Sequence, residues 1–426
     1  MKKKFLGFGL GAIQSGLMLL ESFKSGNFEK FVIVEINNEL VKAVRNGRNT
    51  VTVNIATGNA IVKFTIPDIE IYNPLNSEDI PAINNAIKEA DELATAIPSV
   101  NFYDVGENSI AKLLAKNIDG KKPQILYASE NNNYAAEILF KNILQYTDKS
   151  HLNNFQILNT VIGKMSGIIQ DKKIIKELAL SPITTGSSSA FLVEEFNHII
   201  ISKIKLPEFR KGIEVFVEKE NLLPFEEAKL FGHNAVHSML GYLAHLKGYK
   251  YMSEIKRDRE LWEYGERAFR KESGAFLLRK YKTLNEELFT EKGFTFYGDD
   301  LLKRMTNPFL RDEVNRICRD PLRKLGYDDR LIGTIREGLK QGVTATTLAK
   351  GVIGGICFIV NNKIKTNATK SLPALENIKQ LDEKSIKSIL FQIWKDAEDD
   401  GMKNRVLDIV LSQFEEVKEK FIKLTE

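Results

Sequence analysis

The sequence predicts an α/β N-terminal domain with a doubly wound sheet, followed by a mostly α-helical C-terminal domain. Short apolar and β-branched runs alternate with helical periodicity in the first half of the chain, whereas helical spacing dominates the second half. The length of 426 residues fits two domains. We assign residues 1–200 to the first domain and 201–426 to the second, with the boundary falling between about 197 and 219.

Composition excludes several classes of protein. The apolar fraction of 43% and the charged fraction of 27% exclude a disordered or fibrous chain. The net charge is only +5, and no basic block is interleaved with aromatic residues, so no nucleic-acid partner is predicted. The two cysteines, Cys318 and Cys357, exclude a disulfide framework and indicate a reducing, cytoplasmic compartment.

The apolar residues 5–11 follow three lysines and could pass for a signal peptide. Gln14, Ser15 and Gly16 interrupt that run, and charged residues follow soon after it. The apolar run 351–360 is too short for a bilayer, which needs about 20 residues. We therefore predict no membrane segment.

The N-terminal elements are predicted in the following order. A strand at 5–8, a helix at 13–23, a buried strand at 31–34 and a helix at 38–46 come first. A hairpin then pairs 51–56 with 60–71 around Thr57-Gly58-Asn59. The remaining elements alternate, with helices at 80–96, 110–117 and 134–146 and strands at 100–105, 124–128 and 155–161.

The turn after the first strand carries the cofactor prediction. Gly9 would permit a tight turn, and Gly11 would let the backbone approach a pyrophosphate at the helix start, beside Ala12 and Ile13. Gln14 stands where a GxGxxG motif has its third glycine, so the motif alone is weak. Its position between a strand and a helix favours a Rossmann-like nucleotide-binding domain.

Glu35 ends the second predicted strand. A carboxylate there would accept hydrogen bonds from ribose hydroxyls and repel a 2′-phosphate, which predicts NAD rather than NADP. From the pattern alone, a glycine turn beside a surface glutamate explains these residues equally well.

The C-terminal half predicts helices throughout. They are expected at 225–246, 253–279, 300–305, 312–325, 331–341, 345–360, 383–397 and 404–424. We interpret the chain from Lys365 onwards as helical packing or an oligomer contact, which leaves monomer and homo-oligomer open.

The stretch 226–237 gathers polar side chains on one helix face. At about 100° per residue, Lys229 lies at 0°, Glu226 at about 60°, His237 at about 80° and Asn234 at about 140°. An amine, a carboxylate, an imidazole and an amide together suit an active site, although surface helices also carry mixed polar residues. His233 and His237 could share a metal at i, i+4, but no HExxH pattern is present and no metal is predicted.

At these residues the chain resembles the polyol-specific long-chain dehydrogenases, also called the mannitol dehydrogenase family. Lys229-x4-Asn234-x2-His237 matches the family signature. Residues 8–13 are similar to its nucleotide turn, and Ser129-Glu130-Asn131 to another of its segments. Residues 272–275, 307–310 and 319–325 resemble the branch that acts on mannitol 1-phosphate. The resemblance covers about residues 5–360.

The resemblance implies a metal-independent oxidation of a secondary alcohol. Lys229 would act as general base, with its pKa lowered by burial in a cleft between the domains. Asn131 and Asn234 would donate hydrogen bonds to the developing alkoxide. His237 would orient the substrate or the lysine, and Glu226 would pass protons to solvent.

The resemblance, more than the charge pattern, also implies a phosphorylated sugar. Arg304, Arg319, Arg323 and Lys324 would supply cations for a phosphate, although 319–323 also suits a helix terminus with structural ion pairs. The expected reaction interconverts mannitol 1-phosphate and fructose 6-phosphate with NAD. A hexuronate reductase for tagaturonate or fructuronate, a dehydrogenase of a non-phosphorylated polyol and an inactive NAD-binding protein remain alternatives.

The chain departs from the family pattern at two internal positions. Gln14 replaces the third glycine, which bears on cofactor packing. Gly163 stands where relatives have an aspartate close to the substrate, which puts the sugar specificity in doubt and leaves Lys164 as an extra cation.

Overall fold

The structure is a computed structural model that describes residues 2–364, 377–398 and 400–422. The chain divides into two compact units, at Phe225 and Glu226. The boundary that we predict at residue 200 differs from this division, because two further strands after residue 199 still belong to the sheet of the first unit.

Twelve strands are described in the N-terminal unit, and they form two sheets. They are β1 (Lys3–Phe8), β2 (Phe28–Val34), β3 (Val51–Ala56), β4 (Ile61–Ile66), β5 (Ile69–Tyr72), β6 (Glu92–Thr95), β7 (Gln124–Ala128), β8 (Phe155–Val161), β9 (Ser166–Ile169), β10 (Ala190–Glu194), β11 (Ile200–Ser202) and β12 (Val217–Lys219).

The large sheet has the order β12-β11-β8-β7-β6-β1-β2-β5. The strands from β5 to β8 are all parallel, and β11 joins β8 antiparallel. In this parallel part, the strand order reverses between β1 and β6, as in dinucleotide-binding folds, where ligands bind beyond the carboxyl ends of the strands. The predicted doubly wound α/β domain is therefore confirmed.

Alternating side chains of β1 explain why helices cover both faces of this sheet. Phe5 belongs to one buried apolar cluster, whereas Leu6 and Phe8 belong to the cluster on the other face. The helices of the unit are α1 (Leu20–Ser25), α2 (Asn38–Asn46), α3 (Ile80–Glu89), α4 (Ile110–Asn117), α5 (Ala135–Ile143) and α6 (Lys172–Glu177), with a π-helical segment Gln14–Leu19 before α1 and 3₁₀ turns at Val100–Phe102 and Lys149–Leu152.

The small sheet has the order β4-β3-β10-β9. It contains the predicted hairpin of β3 and β4, but the second predicted strand is too long, since Ile69–Tyr72 leaves the hairpin and pairs with β2. Strands β9 and β10 are not anticipated by the sequence. Gly16 packs here, because a Cβ at that position would lie 2.4 Å from Cγ1 of Val193 on β10.

Two predicted elements of the N-terminal unit are wrong. The helix expected at 80–96 stops at Glu89, and β6 continues as a fully buried strand between β1 and β7. Its apolar residues continue the helical spacing by coincidence, so the pattern does not reveal the change. The strand expected at 100–105 is a 3₁₀ turn, capped by the Ser99 hydroxyl, which accepts from Asn101 N–H at 3.2 Å.

The C-terminal unit is helical in its described residues, as predicted. The α-helices are α7 (Leu223–Glu227), which crosses the division, α8 (Ala235–Leu246), α9 (Arg259–Arg267), α10 (Gly274–Lys280), α11 (Glu291–Met305), α12 (Val314–Ile317), α13 (Pro321–Lys324), α14 (Ile332–Lys340), α15 (Thr346–Asn361), α16 (Glu383–Ile393), α17 (Lys403–Leu411) and α18 (Phe414–Val417). The π-helical segments are Ala228–Asn234, Ala268–Ser273 and Lys418–Ile422, and the 3₁₀ turns are Met252–Arg257, Glu287–Phe289, Pro308–Leu310 and Ile378–Gln380.

Some predicted helix bounds need correction. The helix expected at 312–325 is two short helices, because Asp320 adopts a left-handed conformation (φ 55°) and Pro321 starts a new helix. The helix expected at 253–279 is broken at Asp258, whose side chain caps α9 by accepting from Leu261 N–H at 3.1 Å. Leu424, inside the last predicted helix, lies outside the described residues.

The described C-terminal helices pack onto the rest of their unit. The buried Lys350 ammonium on α15 donates to Glu416 on α18 and to Gln413 at 2.8 Å. Lys420 donates to Glu260 of α9 at 2.9 Å. In the part of the chain that the structure describes, no helix combines the length and apolar character needed to cross a bilayer.

Candidate active site

The glycine turn joins β1 to its helix with the geometry that the sequence predicts. Gly9 has φ 87°, a conformation that favours glycine, and its N–H donates to Val34 O at 2.8 Å. A Cβ on Gly11 would approach only Ala96 O, at 3.9 Å, so the outer side of the turn is open. Ala12 and Ile13 follow at the helix start, where free backbone N–H groups attract anions.

Glu35 holds this turn from the end of β2. Its carboxylate is buried and accepts from Leu10 N–H at 2.5 Å and from Asn37 N–H at 2.8 Å. A carboxylate oxygen has more than one lone pair, so Glu35 can still accept from a ribose hydroxyl. Its first role in the structure is to fix the backbone of the turn, which the sequence alone did not predict.

Gln14, at the position of the missing glycine, is fully buried. The structure makes room for it in the preceding strand, because a Cβ on Gly7 would lie 1.8 Å from Gln14 Nε2. In the standard motif, a glycine at the position of Gln14 lets the helix approach the strand closely. Here Gly7 on β1 allows that approach instead. The Gln14 amide makes no hydrogen bond within the described residues.

The loops beyond β6 and β7 are held by Glu130. Its buried carboxylate accepts from Thr95 Oγ1 at 2.9 Å, from Ile97 N–H at 3.0 Å and from the Tyr103 hydroxyl. Burial raises the pKa of Glu130 despite these donors. Asn131 follows directly and is exposed, so the loop presents its amide at the carboxyl end of β7.

The signature residues Lys229, Asn234 and His237 lie on one continuous helix from Leu223 to Leu246. The segment Ala228–Asn234 is π-helical, with i→i+5 hydrogen bonding. Residues five apart lie close to one face in such a segment, so Lys229 and Asn234 share a face better than the 100° spacing of an ideal α-helix predicts.

Neighbouring side chains stabilise this distortion. The Ser273 hydroxyl donates to Phe231 O inside the π-helical segment at 2.6 Å. Thr334 Oγ1 lies 3.4 Å from the same carbonyl. Π-helical turns occur often at functional sites, because they re-aim side chains. The role of Ser273 was not predicted.

Lys229 has the electrostatic environment of a general base. Burial lowers its pKa, the nearby Arg330 cation lowers it further, and Glu226 opposes both, with the pKa at about 8. The predicted lowering of the lysine pKa is thus present within the C-terminal unit. Glu226 and Lys229 are close enough to interact electrostatically, as their predicted common face requires.

His233 and His237, on the signature helix (residues 223–246), are both buried, with ring centroids 5.9 Å apart. Burial holds the pKa of His233 well below its usual value, and the positive charge of Arg304 and Arg330 adds to that effect. His237 Nε2 lies 3.3 Å from Oδ2 of the buried Asp312, a residue that we did not predict.

The four predicted phosphate ligands have different environments. Arg304 is largely buried and pairs with Asp300 at 3.1 Å. Arg319 is exposed, and the exposed Arg323 pairs with Asp329 at 3.2 Å, as the helix-terminus interpretation expects. Lys324 is buried and donates to Ile317 O, and burial, aided by Arg330, lowers its pKa to about 8.

Arg330 is the cation that the sequence did not single out. Its side chain is 12% exposed, and Asp329 Oδ1 accepts from its Nε at 2.8 Å. It acts electrostatically on Lys229, His233 and Lys324. No motif marks it, because α13 and α14 bring it to the signature helix only in the folded chain.

Lys164 is not the extra substrate cation that we expected. Its ammonium is buried and donates to Glu194 O at 2.5 Å and Phe196 O at 2.6 Å. Glu194 also accepts from Met165 N–H at 2.5 Å, so this pair fastens the loop after β8 to β10. Among the described residues, no three His, Cys, Asp or Glu side chains cluster as a metal site would need.

Comparison with known proteins identifies the family. A model of the mannitol dehydrogenase C-terminal domain matches residues 221–410. The mannitol-1-phosphate 5-dehydrogenase of Clostridium acetobutylicum is 30% identical over 382 residues, which cover 88% of this chain and 92% of the relative. The chain belongs to the mannitol dehydrogenase family. Membership confirms the predicted class of enzyme, an oxidoreductase that acts on a secondary alcohol with a nicotinamide cofactor.

Another curated relative and two solved structures are also similar to this chain. The mannitol-1-phosphate 5-dehydrogenase of Lactococcus lactis subsp. cremoris is 32% identical, over 80% of this chain and 83% of the relative. A substrate-free D-sorbitol dehydrogenase has the same fold at a TM-score of 0.77 and 14% identity, covering 99% of this chain and 94% of that one. The mannitol 2-dehydrogenase of Pseudomonas fluorescens, solved with NAD and D-mannitol, gives a TM-score of 0.67 at 14% identity, covering 100% and 94%.

Proposed function

We propose that this enzyme interconverts mannitol 1-phosphate and fructose 6-phosphate with NAD(H). Relatives named mannitol-1-phosphate 5-dehydrogenase support this substrate, since one of them is matched over 92% of its length. The single observation that carries the chemistry is the position of Lys229 in the π-helical segment with Asn234, where burial lowers the Lys229 pKa to about 8, as a general base near neutral pH requires.

The residues of the glycine turn fit a dinucleotide. Gly9 supplies the left-handed turn, Gly11 leaves its outer side open, and the following helix start offers backbone N–H groups to a pyrophosphate. Glu35 would accept from the adenosine ribose and repel a 2′-phosphate, which favours NAD over NADP. When bound there, a nicotinamide cofactor would supply the hydride acceptor for oxidation and the hydride donor for reduction.

In the proposed oxidation, the neutral Lys229 amine takes the proton of the secondary hydroxyl. In reduction, the Lys229 ammonium gives that proton back to the carbonyl oxygen. The oxygen bears negative charge as its proton leaves, and the amides of Asn131 and Asn234 would donate to it. The π-helical turn supports the role of Asn234, because residues five apart in such a segment lie close to one face.

The remaining polar residues of the signature helix would transfer protons and orient the reacting groups. Glu226 would relay protons between Lys229 and solvent, and its half-buried position supports this role. His237 would hold the substrate or the lysine in place. It is buried, and its Nε2 lies 3.3 Å from Oδ2 of Asp312.

The phosphate would be bound by cations of the C-terminal unit. Arg304, Arg319, Arg323 and Lys324 remain the candidates from the sequence, and we add Arg330. Arg330 and Arg304 have the better support, because both act on the buried His233 of the signature helix. Arg323 has the least, because its side chain is exposed and forms an ion pair at a helix terminus.

We also propose a cytoplasmic location. The two cysteines of the chain, Cys318 and Cys357, are buried free thiols, which suits a reducing compartment. The proposed partners are the small sugar phosphate and the cofactor, for either a monomer or a homo-oligomer.

The test is a panel of keto sugars assayed by the absorbance of the reduced cofactor. Fructose 6-phosphate, fructose, tagaturonate and fructuronate are each offered with NADH and with NADPH. We expect turnover of fructose 6-phosphate with NADH, at a kcat/KM at least about tenfold above every other pair.

Two results would contradict the proposal. Preference for a hexuronate or for unphosphorylated fructose would reassign the substrate, and preference for NADPH would remove the role given to Glu35. Tight NADH binding without turnover of any sugar would identify a protein that has lost catalysis.

A further inference from the structure

Two buried polar atoms of the C-terminal unit face each other and have no other partner among the described residues. His237 Nε2 and Asp312 Oδ2 are 3.3 Å apart, and the two side chains are 10% and 4% exposed. Neither atom makes a well-aligned hydrogen bond to any described residue. Because buried polar atoms are nearly always paired, each is the natural partner of the other, and a small ring rotation would align them.

Asp312 is itself held rigidly, so it can fix the ring. Both Nε and Nη2 of Arg316 donate to its other oxygen, Oδ1, at 2.9 and 2.6 Å. Its carbonyl accepts from Met252 N–H at 2.9 Å, and the next residue, Glu313, forms a β-bridge with Tyr251. With Oδ1 occupied and its backbone tied down, only Oδ2 is directed at the imidazole.

We propose that Asp312 is a positioning residue that fixes the orientation and tautomer of His237. The carboxylate accepts from Nε2–H of the ring, so neutral His237 carries its proton on Nε2 and has its lone pair on Nδ1. The atom available for the substrate or for Lys229 is therefore Nδ1, as an acceptor. Burial raises the pKa of Asp312, but His237 and Arg316 outweigh it and keep the carboxyl ionised.

This inference rests on the proposed function only for the kinetic consequence, since the tautomer can be measured without substrate. The chain has only five histidines, which makes the ring nitrogens resolvable in protein labelled with ¹⁵N-histidine. The spectrum of a His237→Gln variant assigns the His237 signals by their disappearance. In the wild-type enzyme we expect His237 to show the Nε2–H tautomer.

The test variant is Asp312→Asn, which preserves shape and removes the charge. We expect the His237 signals to shift towards a mixture of tautomers. We expect kcat to fall about 10–100-fold, the cost typical of removing a carboxylate that orients a metal-bound imidazole. NADH binding should be unchanged.

The matched control is Asp258→Asn, another largely buried carboxylate of the same unit. It pairs with Lys247 at 2.6 Å and caps α9, so it should lower the melting temperature and leave the His237 spectrum and kcat unchanged. If His237 of the wild-type enzyme shows the Nδ1–H tautomer, the proposal is overturned, whether or not Asp312→Asn folds. An Asp312→Asn enzyme with the wild-type spectrum and kcat also overturns it, while wild-type turnover of fructose 6-phosphate would leave the proposed function standing.

Discussion

The two units prepare their functional atoms in different ways. In the N-terminal unit, the proposed functional atoms are backbone N–H groups of the glycine turn. Glu35 and Gly9 determine the conformation of this turn. In the C-terminal unit one distorted helix offers side chains, and Lys229, Asn234 and His237 depend on its π-helical phase. A backbone site tolerates an altered motif if the path of the chain is kept, whereas a side-chain site depends on each residue.

The sharpest test of this contrast is Lys229→Met. The variant removes the proposed base, so we expect kcat to fall about 10⁴-fold, with NADH affinity unchanged because the glycine turn is untouched. Fluorescence titration of NADH and steady-state rates would separate the two effects. A variant that keeps more than about a tenth of the wild-type kcat would refute the role of Lys229.

The same variant tests whether the lysine carries a folding cost. The Lys229 pKa falls from 10.5 to about 8 on folding, so its charged form destabilises the fold fully below pH 8, and this cost fades as the pH rises towards 10.5. We expect Lys229→Met to be more stable by about 1–3 kcal/mol at pH 7, with a smaller gain at pH 10. Urea unfolding at both pH values measures it, and an equal gain at both would argue against the lowered pKa.

Asn131 lies in a loop and Asn234 on a helix, so substituting each of these amides compares the two kinds of site directly. We expect Asn131→Ala and Asn234→Ala each to lower kcat about 10²–10³-fold, the typical cost of one donor to a developing oxyanion. Asn133→Ala is the control, because Asn133 is an exposed amide in the same loop as Asn131. If Asn131→Ala behaves like Asn133→Ala, the loop plays no part in stabilising the alkoxide.

The pH dependence of the reaction rate tests how neighbouring charges set the Lys229 pKa, and the expected effects are smaller than those above. Oxidation needs neutral Lys229, so its rate should rise with pH through a midpoint near 8, and reduction should fall through the same range. Arg330→Met should move the midpoint up, since Arg330 lowers the lysine pKa. Glu226→Gln should move it down, since Glu226 raises that pKa. A midpoint unaffected by either change would assign the titration to another group.

The smallest effect concerns the altered glycine motif. Gln14→Met keeps the volume and removes an amide that has no hydrogen-bond partner among the described residues. We expect the free energy of unfolding to rise by about 1 kcal/mol and the NADH affinity to change less than about twofold. A large loss of NADH binding would show that the Gln14 side chain, and not only the backbone, serves the cofactor.

The sequence predicted the strands and helices that have a local repeating pattern. It missed the pairings between segments that lie far apart in the chain. Strands β1, β2, β7 and β8 and helices α2 and α4 follow from hydrophobic periodicity. The helix expected at 80–96 failed because its apolar spacing continues by chance into the buried strand Glu92–Thr95. Strand β10 joins the small sheet by pairing with β3 across more than a hundred residues, which no local pattern contains.

The candidate site divides in the same way. Lys229, Asn234 and His237 share one helix, so their spacing predicted a common face, although an α-helix gave the wrong phase for Asn234. Asp312 and Arg330 lie far along the chain and reach the signature helix only through tertiary packing. Arg304, Arg319, Arg323 and Lys324 were expected to act as one basic cluster, but Arg323 is engaged in a structural ion pair.

The presence of glycine at position 7 of the strand, rather than at position 14 of the helix, has a consequence for evolution. Only one side chain fits between residues 7 and 14, so the two positions should covary among relatives. Where position 14 reverts to glycine, position 7 becomes free to enlarge, and an enlarged position 7 beside Gln14 should be absent. A search for nucleotide-binding turns that allows the glycine to precede the motif would find chains that the standard pattern rejects.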